Sequence, residues 1–351
     1  MAHWLEQAFG IEHPIIQAPM AGVSSPAMAA AVTNAGGMGS LGVGAMSVEA
    51  ARVAIRETRA LTEGPFNINV FCHLPAVRNA AIEAAWLEAM APEFHRFGTE
   101  PPAELSEIYS SFVTNAAMQD MLVEEAPVVV SFHFGLPKND VISALKRAGV
   151  TLLASATSLE EARACQSAGM DAIVAQGIEA GGHRGIFDPS GVDELLPTDA
   201  LVSRLVSEVD LPIIAAGGLM TGTDVSRVLQ LGASAGQLGT AFIACDESLA
   251  DSAYRSALRE PASHLAVLTP AVSGRPARCL RNGFLQWAED TDATVPSYPV
   301  AYDAAKSLAA AATASGTSGF GAQWSGVGGQ QARDGSAQQI MAWLVEGMGS
   351  I

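Results

Sequence analysis

The chain reads as an α/β protein: a (β/α)8 TIM barrel carrying an added, mostly helical substrate or cap domain. Three observations lead there. Eight short apolar runs alternate with helix-patterned segments between residues 14 and 242, the rhythm of a parallel sheet joined by crossover helices. The runs suit strands buried on both faces. No GxGxxG follows the first run, which argues against a doubly wound open sheet, the competing architecture.

Residues 14–20 form a buried strand running into a loop. Ser25 and Pro26 then supply an N-cap and an N1 proline, and Gly36-Gly37 closes the helix. Residues 38–43 are the second strand, and Ser47 opens a helix with Val48, Ala51, Ile55 and Leu61 near helical spacing. In the third strand, 66–71, Phe66, Ile68 and Val70 share one side, and Asn67 and Asn69 the other. Residues 72–126 interrupt the rhythm with helical patterns over 76–90 and 104–125, divided by Pro92, Pro101 and Pro102; they read as an enlarged connection. The fourth strand spans 128–134, with its helix over 140–147. The fifth spans 151–156, followed by Ser158 and Glu161 at capping-box spacing. The sixth is 172–175, the seventh 211–216 and the eighth 235–242, with helices over 198–209 and 223–231 between them.

Residues 1–245 and 316–351 are assigned to the barrel and 246–315 to the helical cap. Alanine-rich 304–314 favours helix. Glycines in 316–321 and 326–329 mark a flexible junction, and Ser336 caps a closing helix over 337–346 that stops at Gly347.

A chain of 351 residues that is 49% hydrophobic supports a large core. The net charge of −17, from 19 basic and 36 acidic residues, argues against nucleic-acid or anionic-membrane binding. A bound phosphate would have to be held by backbone N–H groups. The four cysteines, Cys72, Cys165, Cys245 and Cys279, form no CxxC pair, which argues against a metal site and for reduced thiols. No basic, then apolar leader opens the sequence and no apolar run reaches membrane length, so the expected location is the cytoplasm.

A barrel gathers the distinctive loops at the C-terminal ends of its strands. The central one is 176–185, Gln-Gly-Ile-Glu-Ala-Gly-Gly-His-Arg-Gly. Its paired glycines allow close backbone approach, and His183 can exchange protons near neutral pH; the alternative is a tight turn whose histidine bonds locally. Met20, Asn69, His133 and Gln176 join it from other strands. Gly217-Gly218 and Gln237-Leu238-Gly239-Thr240 fall where barrels build phosphate sites, after the seventh and eighth strands. Asn69 and Gln176 each offer a donor and an acceptor to a planar heterocycle, and Thr240 a hydroxyl. The combination points to a phosphorylated cofactor.

These segments resemble the nitronate monooxygenase family, class I, formerly called 2-nitropropane dioxygenases. The resemblance is carried by residues 14–22, 66–71, 177–185, 214–218, 237–242 and 273–278 and spans nearly the whole chain. It implies FMN in the barrel mouth beneath the cap, with Gly218, Gln237, Gly239 and Thr240 on its phosphate. Met20, Asn69, Gln176 and Gly181 would border the flavin, with His183 on the substrate side. It implies oxidation of alkyl nitronates, propionate 3-nitronate foremost, by dioxygen to a carbonyl compound and nitrite, through a flavin semiquinone. His183 could act as a base on a neutral nitroalkane, or orient a nitronate whose carbon proton is already gone; an imidazolium would suit the second role.

His133 is a second candidate substrate residue, its alternative being a histidine satisfied by core hydrogen bonds. Tyr298, Tyr302 and Lys306 recur at four-residue spacing and, if helical, share one face, suiting an anionic substrate or an amphipathic packing face. Trp324 reads as packing, Gln330 as a residue near the flavin, and Arg275 and Arg278 as ties between cap and barrel. No chemistry is assigned to His3, His13, His73, His95 or His264. The competing functions are an FMN-dependent NAD(P)H:quinone or enoyl-thioester reductase, for which no nicotinamide fingerprint is visible, and a flavin-binding sensor. A homodimer is a generic expectation.

Overall fold

The computed structural model describes residues 3–260 and 265–349; His264 lies outside them. The central sheet holds the parallel strands β1 Ile15–Gln17, β2 Gly39–Gly42, β3 Phe66–Phe71, β4 Val129–His133, β5 Thr151–Ala156 and β6 Ala172–Gln176. The short β7, Gly182–His183, lies outside that sheet, which continues with β8 Ile213–Ala216 and β9 Ala235–Leu238. Neighbours run β1-β9-β8-β6-β5-β4-β3-β2. The two ends meet: Ile16 bridges Met38 in parallel, with Gln17 N–H donating to the Met38 carbonyl and Met38 N–H to that of Ile15, both at 2.9 Å. Closure leaves no free edge and decides for the barrel over the open sheet.

The helices are α1 Trp4–Phe9, α2 Pro26–Asn34, α3 Val48–Leu61, α4 Ala80–Arg96, α5 Ala116–Glu125, α6 Asn139–Arg147, α7 Leu159–Ser167, α8 Thr198–Glu208, α9 Gly222–Gln230, α10 Ser252–Arg259, α11 Gly283–Glu289, α12 Val300–Ala314 and α13 Ala337–Met348. Ser25, Ser47, Ser158, Thr221 and Ser336 cap their helices by accepting a first-turn N–H. One apolar layer, including Leu41, Ile68, Phe132 and Leu152, packs between strands and helices. A second fills the barrel with Ile16, Val129, Leu153, Val174 and Ile214, and Leu5 and Ile11 join it.

A third cluster serves the cap. It joins Val272, Phe284, Leu285, Val300, Ala304 and Leu308 to Trp86, Leu87, Met90 and Phe94 of α4 and to Phe320. Strands β10 Val267–Thr269 and β11 Ala277–Cys279 form an antiparallel sheet with β7, in the order β10-β11-β7. Ala277 faces His183 and Arg278 faces Gly182 in that register, so the loop expected to carry the chemistry is itself stitched to the cap.

Several expectations need correction. The helical pattern over 104–125 is helical only from Ala116. Leu105, Tyr109 and Phe112 have helical spacing but are buried in three different clusters, and Phe112 N–H bonds the carbonyl of Phe71 at 2.8 Å. Pro92 does not end its helix: α4 starts from an Asn79 cap and runs through Pro92 to Arg96. Trp86, Met90 and Phe94 are buried there while Pro92 faces solvent, where water can satisfy the carbonyl the proline leaves free. The eighth strand stops at Leu238, and Thr240–Phe242 is a 3-10 turn. The last helix passes Gly347 and ends at Gly349, whose φ is 67°.

Candidate functional site

A cavity of about 580 Å³ opens at the C-terminal ends of the barrel strands, under the cap. Met20, Asn69, His133, Gln176, Gly181, His183, Gly217, Gly218, Gln237, Gly239, Thr240, Tyr298, Tyr302 and Lys306 all line it. Leu238 does not; its side chain is buried in the apolar layer behind. Gln330 is exposed and away from the cavity, whereas Trp324 lines it.

One wall is built from glycine turns. Gly217 and Gly218 follow β8 with φ of 120° and 69°, backbone that L side chains rarely adopt. A Cβ on Gly217 would lie 2.8 Å from Thr198 Oγ1. The opposing turn begins at Gly239, where a Cβ would point at Ala18 and Met20, 3.5 and 3.6 Å away. Among the described residues, the N–H groups of Gly218, Leu219, Gly239 and Thr240 meet no protein acceptor. Thr240 Oγ1 accepts the N–H of Gly326 at 2.9 Å, which leaves its hydroxyl proton to donate. Four free N–H groups and a hydroxyl on two glycine-bearing turns fit a phosphate group. Asn69 gives Nδ2 to Ser131 Oγ at 2.9 Å and keeps Oδ1 free for a heterocycle donor.

His183 is held by its backbone more than by its ring. Its carbonyl accepts Gln176 Nε2 at 3.0 Å and His133 Nε2 at 3.2 Å, and Gln176 Oε1 takes the N–H of Gly185 at 2.7 Å. Gln176 therefore lines the cavity while its amide is committed to shaping this loop. Because a carbonyl only accepts, His133 Nε2 carries a proton. Burial pushes His133 down to about 4, so its Nδ1 is bare near neutral pH and accepts Ser155 Oγ–H at 2.9 Å. The core-satisfied reading of His133 describes its contacts. Arg184 extends the anchoring, pairing with Asp193 at 2.7 and 2.9 Å beneath the loop.

The His183 ring points into an aromatic chamber. Trp324, Tyr298 and Phe134 lie 5.0, 5.4 and 5.5 Å away, centroid to centroid, and Nε2 meets Ser273 Oγ at 2.8 Å. Burial first, then the neighbouring His133, Arg275 and His73, drive His183 down to about 3. His183 is thus a neutral imidazole, not the imidazolium considered from sequence. Arg275 is buried, donates to the Ile186 carbonyl, and has no carboxylate within ion-pair distance among the described residues. Its guanidinium sits 4.4 Å over the Phe134 ring, and burial lowers it to about 10. Phe134 reaches that position with φ 74°, backbone strain of the kind that collects at functional sites. Lys306 stands 5.0 Å from the Tyr109 ring and 5.5 Å from that of Tyr302. A chain of net charge −17 thus presents Lys306, which has no ion-pair partner among the described residues, at this cavity.

Tyr298 precedes α12 rather than lying on it, yet it meets Tyr302 and Lys306 at the cavity. Arg278 does tie the parts together, donating to the Ile178 carbonyl at 2.9 Å and to that of Ala266 at 2.7 Å. Sequence reasoning missed Tyr109, Ser131, Ser155, Ser273 and Tyr254. Ser131 and Ser155 lie on the strands beside Asn69 and His133, and a polar residue inside an apolar strand was the available signal. His73, given no chemistry, packs 4.9 Å from the Tyr298 ring. Among the described residues no group of three or more His, Cys, Asp or Glu side chains could hold a metal ion.

The whole arrangement has counterparts. The chain matches the nitronate monooxygenase family model over residues 3–347. It belongs to the nitronate monooxygenase family. It is 56% identical over 336 residues to a nitronate monooxygenase of Paraburkholderia phytofirmans, across 95% of this chain and 92% of that relative. With a nitronate monooxygenase of Pseudomonas aeruginosa it shares 49% identity, across 96% of each chain. Among solved structures it superposes on a nitroalkane oxidase from Streptomyces ansochromogenes with a TM-score of 0.89 and 38% identity, over 98% of this chain and 97% of that one. FabK from Thermotoga maritima shares the architecture less closely, at a TM-score of 0.75 and 27% identity, over 99% of this chain and 96% of that one. The chain is thus an oxidoreductase of nitronates, in a family whose members are generally flavin-dependent. Among the described residues no helix is long and apolar enough to cross a membrane.

Proposed function

We propose that this nitronate monooxygenase family member uses FMN and dioxygen to convert alkyl nitronates, propionate 3-nitronate among them, to a carbonyl compound and nitrite. The observation that carries the reading is the pairing of a free N–H cradle at Gly218 and Gly239 with an anchored, neutral His183 across one cavity. The N–H groups of Gly218, Leu219, Gly239 and Thr240 and the Thr240 hydroxyl would hold the FMN phosphate. Asn69, Met20 and Gly181 would border its ring. When bound, FMN supplies the electron-accepting chemistry that the oxidation needs.

The protein's own residues orient the substrate. With a pKa of about 3, His183 is a weak base with little driving force to take a carbon proton from a neutral nitroalkane. It is well suited to hydrogen-bond a nitronate, which has lost that proton already. Arg275 and Lys306 supply the positive potential for the anion, and Tyr298, Tyr302 and Trp324 keep the space dry. Residues 1–245 with 316–351 act as the FMN-binding barrel and 246–315 as the substrate cap. The four free, buried cysteines suit the reducing cytoplasm.

The test compares a nitronate with its parent nitroalkane at neutral pH in wild type and His183→Asn. The nitronate should be strongly preferred, and the variant should keep its FMN but lose at least tenfold in kcat/KM. Equal rates in the two proteins would remove His183 from the reaction.

A further inference from the structure

We propose that a second cavity beside the candidate active site receives the hydrocarbon tail of longer straight-chain alkyl nitronates. The inference rests on the nitronate reading above for the identity of the head group. This cavity holds about 400 Å³. Its walls come from the 44–48 turn entering α3, the end of β3, and the irregular stretch 108–118 leading into α5. Ala45, Met46, Phe71 and Tyr109 line both cavities, so the chambers share a wall made of side chains.

The two chambers divide by chemistry. Lys306 and His183 line the first and not the second. No charged side chain lines the second, whose inner surface is Val48, Val70, Ile108, Phe112 and Met118. Two of its polar members are engaged: Ser47 Oγ accepts the N–H of Ala50 at 3.2 Å, and Asn115 Oδ1 that of Met118 at 3.0 Å, capping α3 and α5; Ser110 and Tyr109 also line it. A chamber edged by Lys306, beside an uncharged one whose wall includes five large apolar side chains, matches a ligand with an anionic head and an alkyl tail.

The shared wall contains one adaptable side chain. Met46 is unbranched, flexible and half-buried. The Phe71 ring packs directly on Gly44, where a Cβ would lie 2.6 Å from it. Tyr109 carries Lys306 5.0 Å from its ring, which sets the charged end of the ligand on the first-chamber side.

The experiment measures kcat/KM of the FMN-loaded enzyme for straight-chain 1-nitronates from ethyl to octyl. Alongside, calorimetry follows binding of the matching straight-chain carboxylates, which need no turnover. Each methylene entering the chamber should raise kcat/KM and affinity by about fourfold. Ile108→Trp fills the chamber from its far side and should flatten both series while leaving ethyl nitronate unchanged. Val48→Phe does the same from the α3 side and serves if Ile108→Trp folds poorly. Flat series in wild type, or series that keep their slope in both filled variants, would overturn the chamber while leaving short-chain turnover intact. Carboxylate affinities that climb with length and flatten in the variants, with no nitronate turned over, would sustain the chamber and overturn the nitronate reading instead.

Discussion

Gln176 and His183 are joined across seven residues by a hydrogen bond of 3.0 Å from the Gln176 amide to the His183 carbonyl. The other end of the same amide accepts the N–H of Gly185 at 2.7 Å. One buried carboxamide, 8% exposed, therefore sets the path of the backbone on both sides of the histidine. Gln176→Leu leaves the Gly185 N–H without a partner and the His183 carbonyl with His133 Nε2 alone, at a cost of about 1–3 kcal/mol. The expected result is a lower Tm and a loss of tenfold or more in kcat/KM, read by thermal unfolding and steady-state kinetics on nitronates.

Glycine at 181 is a requirement of close approach. A Cβ there would lie 2.4 Å from the backbone nitrogen of Gly326, so the 179–182 and 324–328 loops could not meet. Gly181→Ala should purify with markedly less bound flavin, seen in the ratio of visible to ultraviolet absorbance. Gly321→Ala, whose Cβ would meet nothing within 4 Å, is the matched control and should retain its flavin.

Lys306 is solvent-exposed and has no ion-pair partner among the described residues. For an exposed charge the gain is modest, about 1 kcal/mol or less. Lys306→Met should raise KM for propionate 3-nitronate, which adds a carboxylate, by up to about fivefold. KM for ethyl nitronate should change less. Equal shifts for both would place the lysine's contribution elsewhere.

Besides His183, two more histidines are buried in the neutral form: burial holds both His73 and His133 at about 4. Unfolding exposes them to water, where they titrate near the usual ~6.5. Between about pH 6.5 and 4 the unfolded chain binds more protons than the native one, so stability falls as pH falls. The contribution is fully present above pH ~6.5 and is lost with a slope of up to about 3 kcal/mol per pH unit from the pair. Urea unfolding across that range should show it, and His73→Phe with its neighbouring aromatics intact should reduce the slope.

The barrel was legible because each strand is a short apolar run bounded by glycine or a capping serine, and those signals are local. The glycine turns at 217–218 and 239–240 were legible for the same reason, and the structure brings them together at one cavity. Stretches whose residues serve different neighbours were not legible. Leu105, Tyr109 and Phe112 imitate a helix while answering to three separate clusters. Nor does the sequence reveal that β7 pairs with β11, a contact between His183 and Ala277 in segments far apart along the chain. The protonation of His183 was equally hidden, because it follows first from its burial and then from His133 and Arg275, groups brought together from distant parts of the chain.

The central claim is that the free N–H cradle and His183 together serve nitronate oxidation. Its most direct test is aerobic turnover of the purified yellow protein with propionate 3-nitronate, following nitrite release and dioxygen uptake, with NADH added only to a parallel sample. The account expects rapid nitrite release and dioxygen uptake without NADH, both strongly reduced in His183→Asn. Absence of nitrite release, with NADH bleaching the flavin instead, would contradict it and mark the protein as a reductase built on the same barrel.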